Sequence, residues 1–472
     1  MPARSAARCS LLEAHALRKQ IPVLVIAVSM LITLVALFTL PRMSRRETPS
    51  SEAGGASRVI IISIQNDGIE REFKRGFEAW HQAKFNAPCE VIWNDHGGTS
   101  LAVRFIKSEF SGSPDGIGAD LLWGGGVEPY LQLADLRLLE PVRLPEAILA
   151  ALPVSIEGIP LYDPKLQWFG TALSGFGILW NKPRLAQLHL PEPKTWADLA
   201  EPAFFGEVAA ADPRQSGTAQ VMVEVILEAY GWDKGFEMLA RIAGNLKTFS
   251  RGSADIPKQV SMGNAAAALA IDFYAWTQIK LDGRDKIGYV LPAGLTPITP
   301  DPIGMLKGAP DAVAARRFIE YALSPEAQRL WFLPKGYPGG PVETELLRIP
   351  VLPGLYRQYA GVTNVLFDPS SAHLGFRHDP VKAAADRDTL KDLYGAVFVD
   401  LQPELAEAWK AVIRRGLKPQ EVHALCAPFV TEAELARLAR TEWSDPAARN
   451  RMITAWTNQA RDRYRALARS AD

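Results

Sequence analysis

The chain has 472 residues, 52 Lys+Arg against 52 Asp+Glu, and 48% hydrophobic and 22% charged residues. That length exceeds one compact core and predicts two or three structural units. The zero net charge argues against a nucleic-acid partner, which needs a basic field. Three cysteines (Cys9, Cys89, Cys426), with no Cys-x-x-Cys or Cys/His cluster, argue against a disulfide framework and a zinc site. Pairing of Cys89 with Cys426 in an oxidising compartment stays open.

Residues 1–20 form a short N-terminal segment, and residues 21–41 a transmembrane anchor or signal sequence. Ile21 to Leu40 is free of charge, and twenty residues at 1.5 Å each span roughly 30 Å, enough for a bilayer core. The stretch exceeds a usual signal-peptide core and lacks an Ala-x-Ala site or a lipobox cysteine, which favours an uncleaved anchor. The short N-terminus is then inside and the large domain outside. Residues 42–57 are small and polar and read as a linker.

Val59-Ile60-Ile61-Ile62-Ser63-Ile64 predicts a strand of a parallel sheet covered on both faces. Ile69–Lys84 predicts an amphipathic helix with Phe73, Phe77 and Trp80 on one face. Strands over Pro88–Trp93 and Ala119–Trp123 follow, and the alternation predicts an α/β fold. Gly170–Asn181 reads as an extended stretch into a second lobe. Thr195–Leu199 starts a short helix, and two strand–helix units end near Ala268–Tyr274. Ile287–Pro292 is a further strand, and Pro302–Leu306 returns the chain to the first lobe. Ala312–Leu323 and Ser324–Trp331 predict surface helices. Residues 381–472 form a C-terminal helical extension with apolar stripes near 402–415, 431–440 and 445–468. It is expected as a cap on the first lobe, with a partner-binding module as the alternative.

Two helix starts share one chemistry. Gly97-Gly98-Thr99-Ser100 follows Glu90-Val91-Ile92-Trp93, and Ser216-Gly217-Thr218 follows Val208–Asp212. Helical patterns continue from each, through Leu101, Val103, Phe105 and Ile106, and through Val221, Val225 and Ile226. Glycines and hydroxyls at a helix N-terminus present backbone N–H groups and a positive partial charge to an anion. Two such starts about 120 residues apart suggest two lobes gripping one small anionic ligand. Ordinary Ser/Thr capping is the alternative.

Five motifs in order carry a family resemblance over residues 58–345. They are Ala119-Asp120-Leu121-Leu122-Trp123-Gly124-Gly125-Gly126, Ser174-Gly175-Phe176-Gly177-Ile178-Leu179-Trp180-Asn181-Lys182, Thr195-Trp196-Ala197-Asp198-Leu199, Ala211-Asp212-Pro213 with Ser216-Gly217-Thr218, and Ala270-Ile271-Asp272-Phe273-Tyr274. On these the chain resembles the extracytoplasmic solute-binding proteins of ABC importers, in the two-lobed group with ferric-iron, hexose-phosphate, phosphonate and polyamine binders. The resemblance implies an α/β, type II periplasmic-binding-protein fold, with lobe 1 over 58–171 plus 292–380 and lobe 2 over 172–291. It also implies closure on the ligand, an ABC permease as membrane partner, a monomer and no cofactor. The anchor and the extension fall outside it.

The motifs place Asn66, Asp67, Gly98, Thr99, Ser100, Trp123, Gly124 and Gly125 at carboxyl ends of lobe 1 strands, where such sheets bind ligands. Lobe 2 would supply Ser174, Gly175, Ser216, Gly217, Thr218, Asp272 and Tyr274. Trp123 covering the sheet edge, and Asp272 capping a loop from an apolar strand, are the plain alternatives. Iron binders of this group often use two adjacent tyrosines, but Phe273-Tyr274-Ala275 supplies one, so iron would need Tyr274 with Glu128 or Tyr130. An oxyanionic, phosphate-bearing solute suits the two helix starts better, with Arg214 the only cation near either. No Gly-x-Ser-x-Gly or His-Glu-x-x-His motif points to an enzyme, although Asp95-His96 offers a His–Asp pair. A ligand-sensing receptor or scaffold on the same fold is the further alternative.

Overall fold

The computed structural model describes residues 57–365 and 375–469, within the compact unit Ala56–Asp472. The expected anchor and nearly all of the linker lie outside the described residues. Among the described residues no helix is long and apolar enough to cross a membrane.

Lobe 1 opens with β1 (Ser57–Ser63), α1 (Asp67–Phe85), β2 (Cys89–Asp95), α2 (Thr99–Gly112), β3 (Leu121–Trp123) and α3 (Val127–Asp135). β1 lies between β2 and β3, parallel to both, with Val59 opposite Val91 and Ile61 opposite Leu121. Val59, Ile61 and Ile62 are fully buried, as expected for a strand covered on both faces. α1 starts where Asn66 Oδ1 accepts from the Ile69 N–H (3.1 Å), and it ends at Asn86 in the left-handed region. Its Phe73 packs on Trp123 and Trp331, ring centroids 4.8 and 4.4 Å apart.

β4 (Phe169–Asn181) is buried along its whole length. Beyond it lie β5 (Val208–Ala211), α4 (Gly217–Tyr230), α5 (Trp232–Asn245), β6 (Leu246–Ser250), β7 (Ala267–Ile271), α6 (Asp272–Asp282) and β8 (Ile287–Val290). The chain returns through β9 (Ile298–Leu306) to α7 (Ala312–Ala322) and α8 (Pro325–Phe332). The strand order is β2-β1-β3-β9-β4-β7-β5-β6. Phe169–Gly175 of β4 pairs antiparallel with β9, and Phe176–Trp180 with β7. One strand thus belongs to both lobes, and the chain crosses again between β8 and β9. These two crossings are the natural hinge.

The extension comprises α9 (Pro380–Tyr394), α10 (Gln402–Arg414), α11 (Pro419–Cys426), α12 (Glu432–Thr441) and α13 (Pro446–Arg469). It does not cap the first lobe as expected. Phe398, Leu405, Trp409 and Tyr464 share one core with Phe236, Leu239 and Ile242 of α5, so the helices extend lobe 2. The apolar face of α5 would otherwise meet water. Trp409 closes over Gly244, where a Cβ would lie 2.7 Å from its ring, and its indole donates to Asn245 Oδ1 (2.7 Å). Cys89 and Cys426 sit in different cores, both as free thiols, so the possible pairing does not occur.

The extension and the segment that leads into it also reach lobe 1. The His378 ring is within hydrogen-bond distance of Glu128 on α3 (3.0 Å) and Glu228 on α4 (2.7 Å). Arg387 bonds Glu224 of α4 (2.9 Å) and lies 3.6 Å from Glu128. Burial opposes a charged imidazole, but the two carboxylates hold the His378 pKa up to about 10. A buried charge cluster therefore ties both lobes to α9.

Candidate functional site

A cleft of about 570 Å³ lies between the lobes. Asn66, Asp67, Gly98, Thr99 and Gly125 line it from lobe 1, and Ser174, Ser216, Gly217, Thr218 and Tyr274 from β4 and lobe 2. The starts of α2 and α4 meet head to head at its edge. A Cβ on Gly98 would fall 2.3 Å from Gln215 O, and one on Gly217 would fall 2.5 Å from Thr99 Oγ1. Gly98 caps α2 with no side-chain bond, which leaves the Thr99 and Ser100 N–H groups for another acceptor, while the Leu101 N–H turns back to Gly98 O (2.9 Å). On α4, Ser216 Oγ takes the Ala219 N–H (3.3 Å) and also contacts Ser253 Oγ (2.6 Å). Gly124, Gly125 and Gly126 all have positive φ, at 99°, 96° and 81°, a turn closed to most other residues. There a Cβ on Gly125 would lie 2.7 Å from Thr99 Cγ2.

The floor is built on a residue the sequence reading missed. Arg348 is 2% exposed, donates to Gln65 Oε1 (2.9 Å), Asp301 Oδ2 (2.8 Å) and Ser174 Oγ (2.8 Å), and stacks 4.4 Å from the Phe273 ring centre. Its Nε is buried with no partner among the described residues. A lone arginine in Leu346-Leu347-Arg348-Ile349-Pro350 was the available signal. Arg251, in the loop after β6, is the second cation on the cleft wall. Arg214, the cation singled out from sequence, is turned away and engaged by Asp212 (2.9 Å) and Asp400 (2.8 Å). Asp67, Asp95 and Asp301 also face the cleft. Asp301 is bound to Arg348, and Asp95 Oδ1 accepts from the Gly97 N–H (2.6 Å).

Other expected site residues lie elsewhere. Trp123 is fully buried and donates to Thr171 Oγ1 (2.9 Å), so it supports the sheet. The Gly124 N–H donates to Pro302 O (2.8 Å), making Gly124 a turn residue behind the cleft. Ser100 lines a second crevice, which shares Thr99 with the cleft. The Gly175 N–H donates to Asp272 Oδ2 (2.7 Å), and Asp272 also accepts from the Phe273 N–H (2.7 Å). Asp272 opens α6 rather than ending a strand, and it pins that helix to β4 beneath the cleft. Burial pushes its pKa up to about 7, against these N–H groups and Arg348.

The expected partners of Tyr274 in iron binding are also displaced. Glu128 is 1% exposed and turned to His378 and Arg387. Tyr130 is fully buried, its hydroxyl on Pro302 O (2.7 Å). Neither lines the cleft, because α3 points both side chains away from it. His96 stacks on Phe105, 3.6 Å between ring centres, and forms no hydrogen bond with Asp95 among the described residues.

The bacterial extracellular solute-binding protein family matches residues 132–348. The phosphoglycerate transport regulatory protein PgtC of Salmonella typhimurium is 33% identical over 184 residues, 39% of this chain and 45% of PgtC. The chain thus spans under half the length of that relative. Among solved structures, the periplasmic binding protein AfuA of Actinobacillus pleuropneumoniae, with fructose-6-phosphate bound, is 20% identical. It covers 76% of this chain and 99% of its own, with a TM-score of 0.57. Iron-bound HitA of Pseudomonas aeruginosa is 18% identical, covering 71% of this chain and 98% of its own, with a TM-score of 0.54. The two lobes hinged at β4 and β9 thus have the fold of periplasmic binding proteins, and residues 132–348 match the bacterial extracellular solute-binding protein family.

Proposed function

We propose that the chain captures a small phosphate-bearing solute in the interlobe cleft and delivers it to an ABC permease, tethered to the membrane by residues 21–40. The observation that carries this reading is the convergence of two helix starts on one cleft, with first-turn N–H groups on both sides. Arg251 supplies a charge, while Thr218 and Tyr274 supply neutral donors. Asp67 and Asp95 would accept hydroxyls of the solute's carbon skeleton. The phosphorylated solutes named for PgtC and AfuA belong to the same class. Contacts from both lobes at once would give the closed state its differential affinity.

Ferric iron is the less supported reading, since Tyr274 alone of the expected oxygen ligands lines the cleft. The extension bound to both lobes favours a sensing role as the second reading, because delivery does not require it. A melting panel tests the ligand class: phosphate, sugar phosphates, 3-phosphoglycerate, phosphonates, sulfate, ferric citrate and polyamines. A ligand at about 100 times its Kd stabilises by about 2.7 kcal/mol. Shifts confined to phosphorylated solutes are expected, and a shift with ferric citrate alone would refute the reading.

A further inference from the structure

A second cavity, of about 180 Å³, lies at the seam between lobe 1 and the extension, walled by α2, α3, α9 and α13. Five cations line it, Arg104, Lys107, Arg387, Lys391 and Arg449, against the single carboxylate of Asp388. Two are neutralised from outside the cavity, Arg387 by Glu224 (2.9 Å) and Arg449 by Asp392 (2.7 Å). The other three share Asp388 as the one carboxylate of the crevice, and Lys107 also donates to Gln132 Oε1 (3.1 Å). Lys391, its side chain 8% exposed, bonds Asp388 at 2.7 Å, and Lys107 lies 3.6 Å from it. The Arg104 side chain has no hydrogen bond or ion pair among the described residues.

Three cations against one carboxylate leave about two positive charges uncompensated around the crevice, with Lys391 the buried one among them. The missing partner is a compact anion with two charges and several acceptor oxygens. Ser100 also lines the crevice, as a hydroxyl donor. We propose that this crevice is a second binding site, for a small oxyanion of the inorganic phosphate type, separate from the interlobe cleft. Arg104 and Lys107 belong to lobe 1, whereas Lys391 belongs to the extension fused to lobe 2. A bound oxyanion therefore bridges the lobes and favours their closed arrangement. By linkage, it raises affinity in the main cleft by the same factor that the main ligand raises its own.

The test is calorimetric titration of the full chain in a mild non-ionic detergent with inorganic phosphate. Three proteins are compared: the unaltered chain, R104Q/K107Q, and T218W, which puts a bulky indole on the lobe 2 wall of the main cleft. The expected result is one phosphate bound per T218W chain. R104Q/K107Q should lose that site, with at least a tenfold drop in affinity. Arg104 is exposed and Lys107 half-buried, so the double variant is expected to fold. Phosphate binding unchanged in R104Q/K107Q would overturn the proposal, as would a folded T218W that binds none. Should T218W melt early, the comparison between the unaltered chain and R104Q/K107Q decides alone.

Discussion

Alanine at Gly98 or Gly217 should weaken ligand binding by acting on closure rather than on folding. A Cβ at Gly98 meets Gln215 O at 2.3 Å, Gln215 C at 3.4 Å and Ser216 Cα at 3.9 Å, all in lobe 2. A Cβ at Gly217 meets Thr99 Oγ1, Cβ and Cγ2 at 2.5, 2.7 and 3.2 Å, all in lobe 1. Comfortable contact needs about 3.5 Å, so either methyl drives the lobes apart by about 1 Å. Gly98 has φ −70°, which alanine adopts without strain. In each case the three nearest atoms lie across the cleft, so the open state is hardly touched. Overpacking of this kind costs about 1–3 kcal/mol, and here the cost falls on the closed state. Affinity should drop about 5- to 150-fold, while the melting temperature without ligand stays nearly unchanged. Titration of each variant, with solution scattering to report lobe separation, reads both effects. Full affinity in both variants would refute the closed geometry in which the two helix starts abut.

Three further outcomes follow from buried groups. R348M leaves Asp301 without its cation and Ser174 without its donor, and should cost about 3–5 kcal/mol in a thermal melt. W409A removes a fully buried indole from the core shared by α5 and α10 and should cost about 3–5 kcal/mol. The extension and lobe 2 should still melt together, and an early separate transition would count against the shared core. His378 gains a proton on folding, because its pKa rises from 6.5 to about 10 between Glu128 and Glu228. Its contribution is fully present below about pH 6.5 and is lost as pH rises through 10. The melting temperature should fall from pH 7 to 10, and H378Q should flatten that slope.

Much of lobe 1 was legible because its signals are local. The β-branched run before Ser63, the spacing of Phe73 and Phe77 and the cap at Ser324 each act within one turn or strand. The two helix starts were legible for the same reason, since a glycine beside two hydroxyl residues is chemistry of three residues. What was not legible depends on pairs far apart in the chain. Asp272 read as a cleft residue because nothing local reveals that its acceptor capacity goes to Gly175, 97 positions away. Glu128 and Tyr130 read as metal ligands because their partners, His378 and Pro302, lie 250 and 172 positions on. The apolar stripes of α10 and α13 announced helices that must be covered, but stripes carry no address, so their docking on α5 rather than lobe 1 could not be read. Arg348 was overlooked because its partners come from β4, β9 and the end of β1.

The most direct test of the two-sided grip is a titration of one phosphorylated solute, chosen from the melting panel, against the unaltered chain, N66L and T218L. Asn66 lies on the lobe 1 wall of the cleft and Thr218 on the lobe 2 wall. Each variant should lose at least tenfold in affinity, while the melting temperature without ligand holds for T218L and falls in N66L by no more than a lost helix cap, about 0.5–2 kcal/mol. Loss in only one of the two, or in neither, would contradict a ligand held by both lobes.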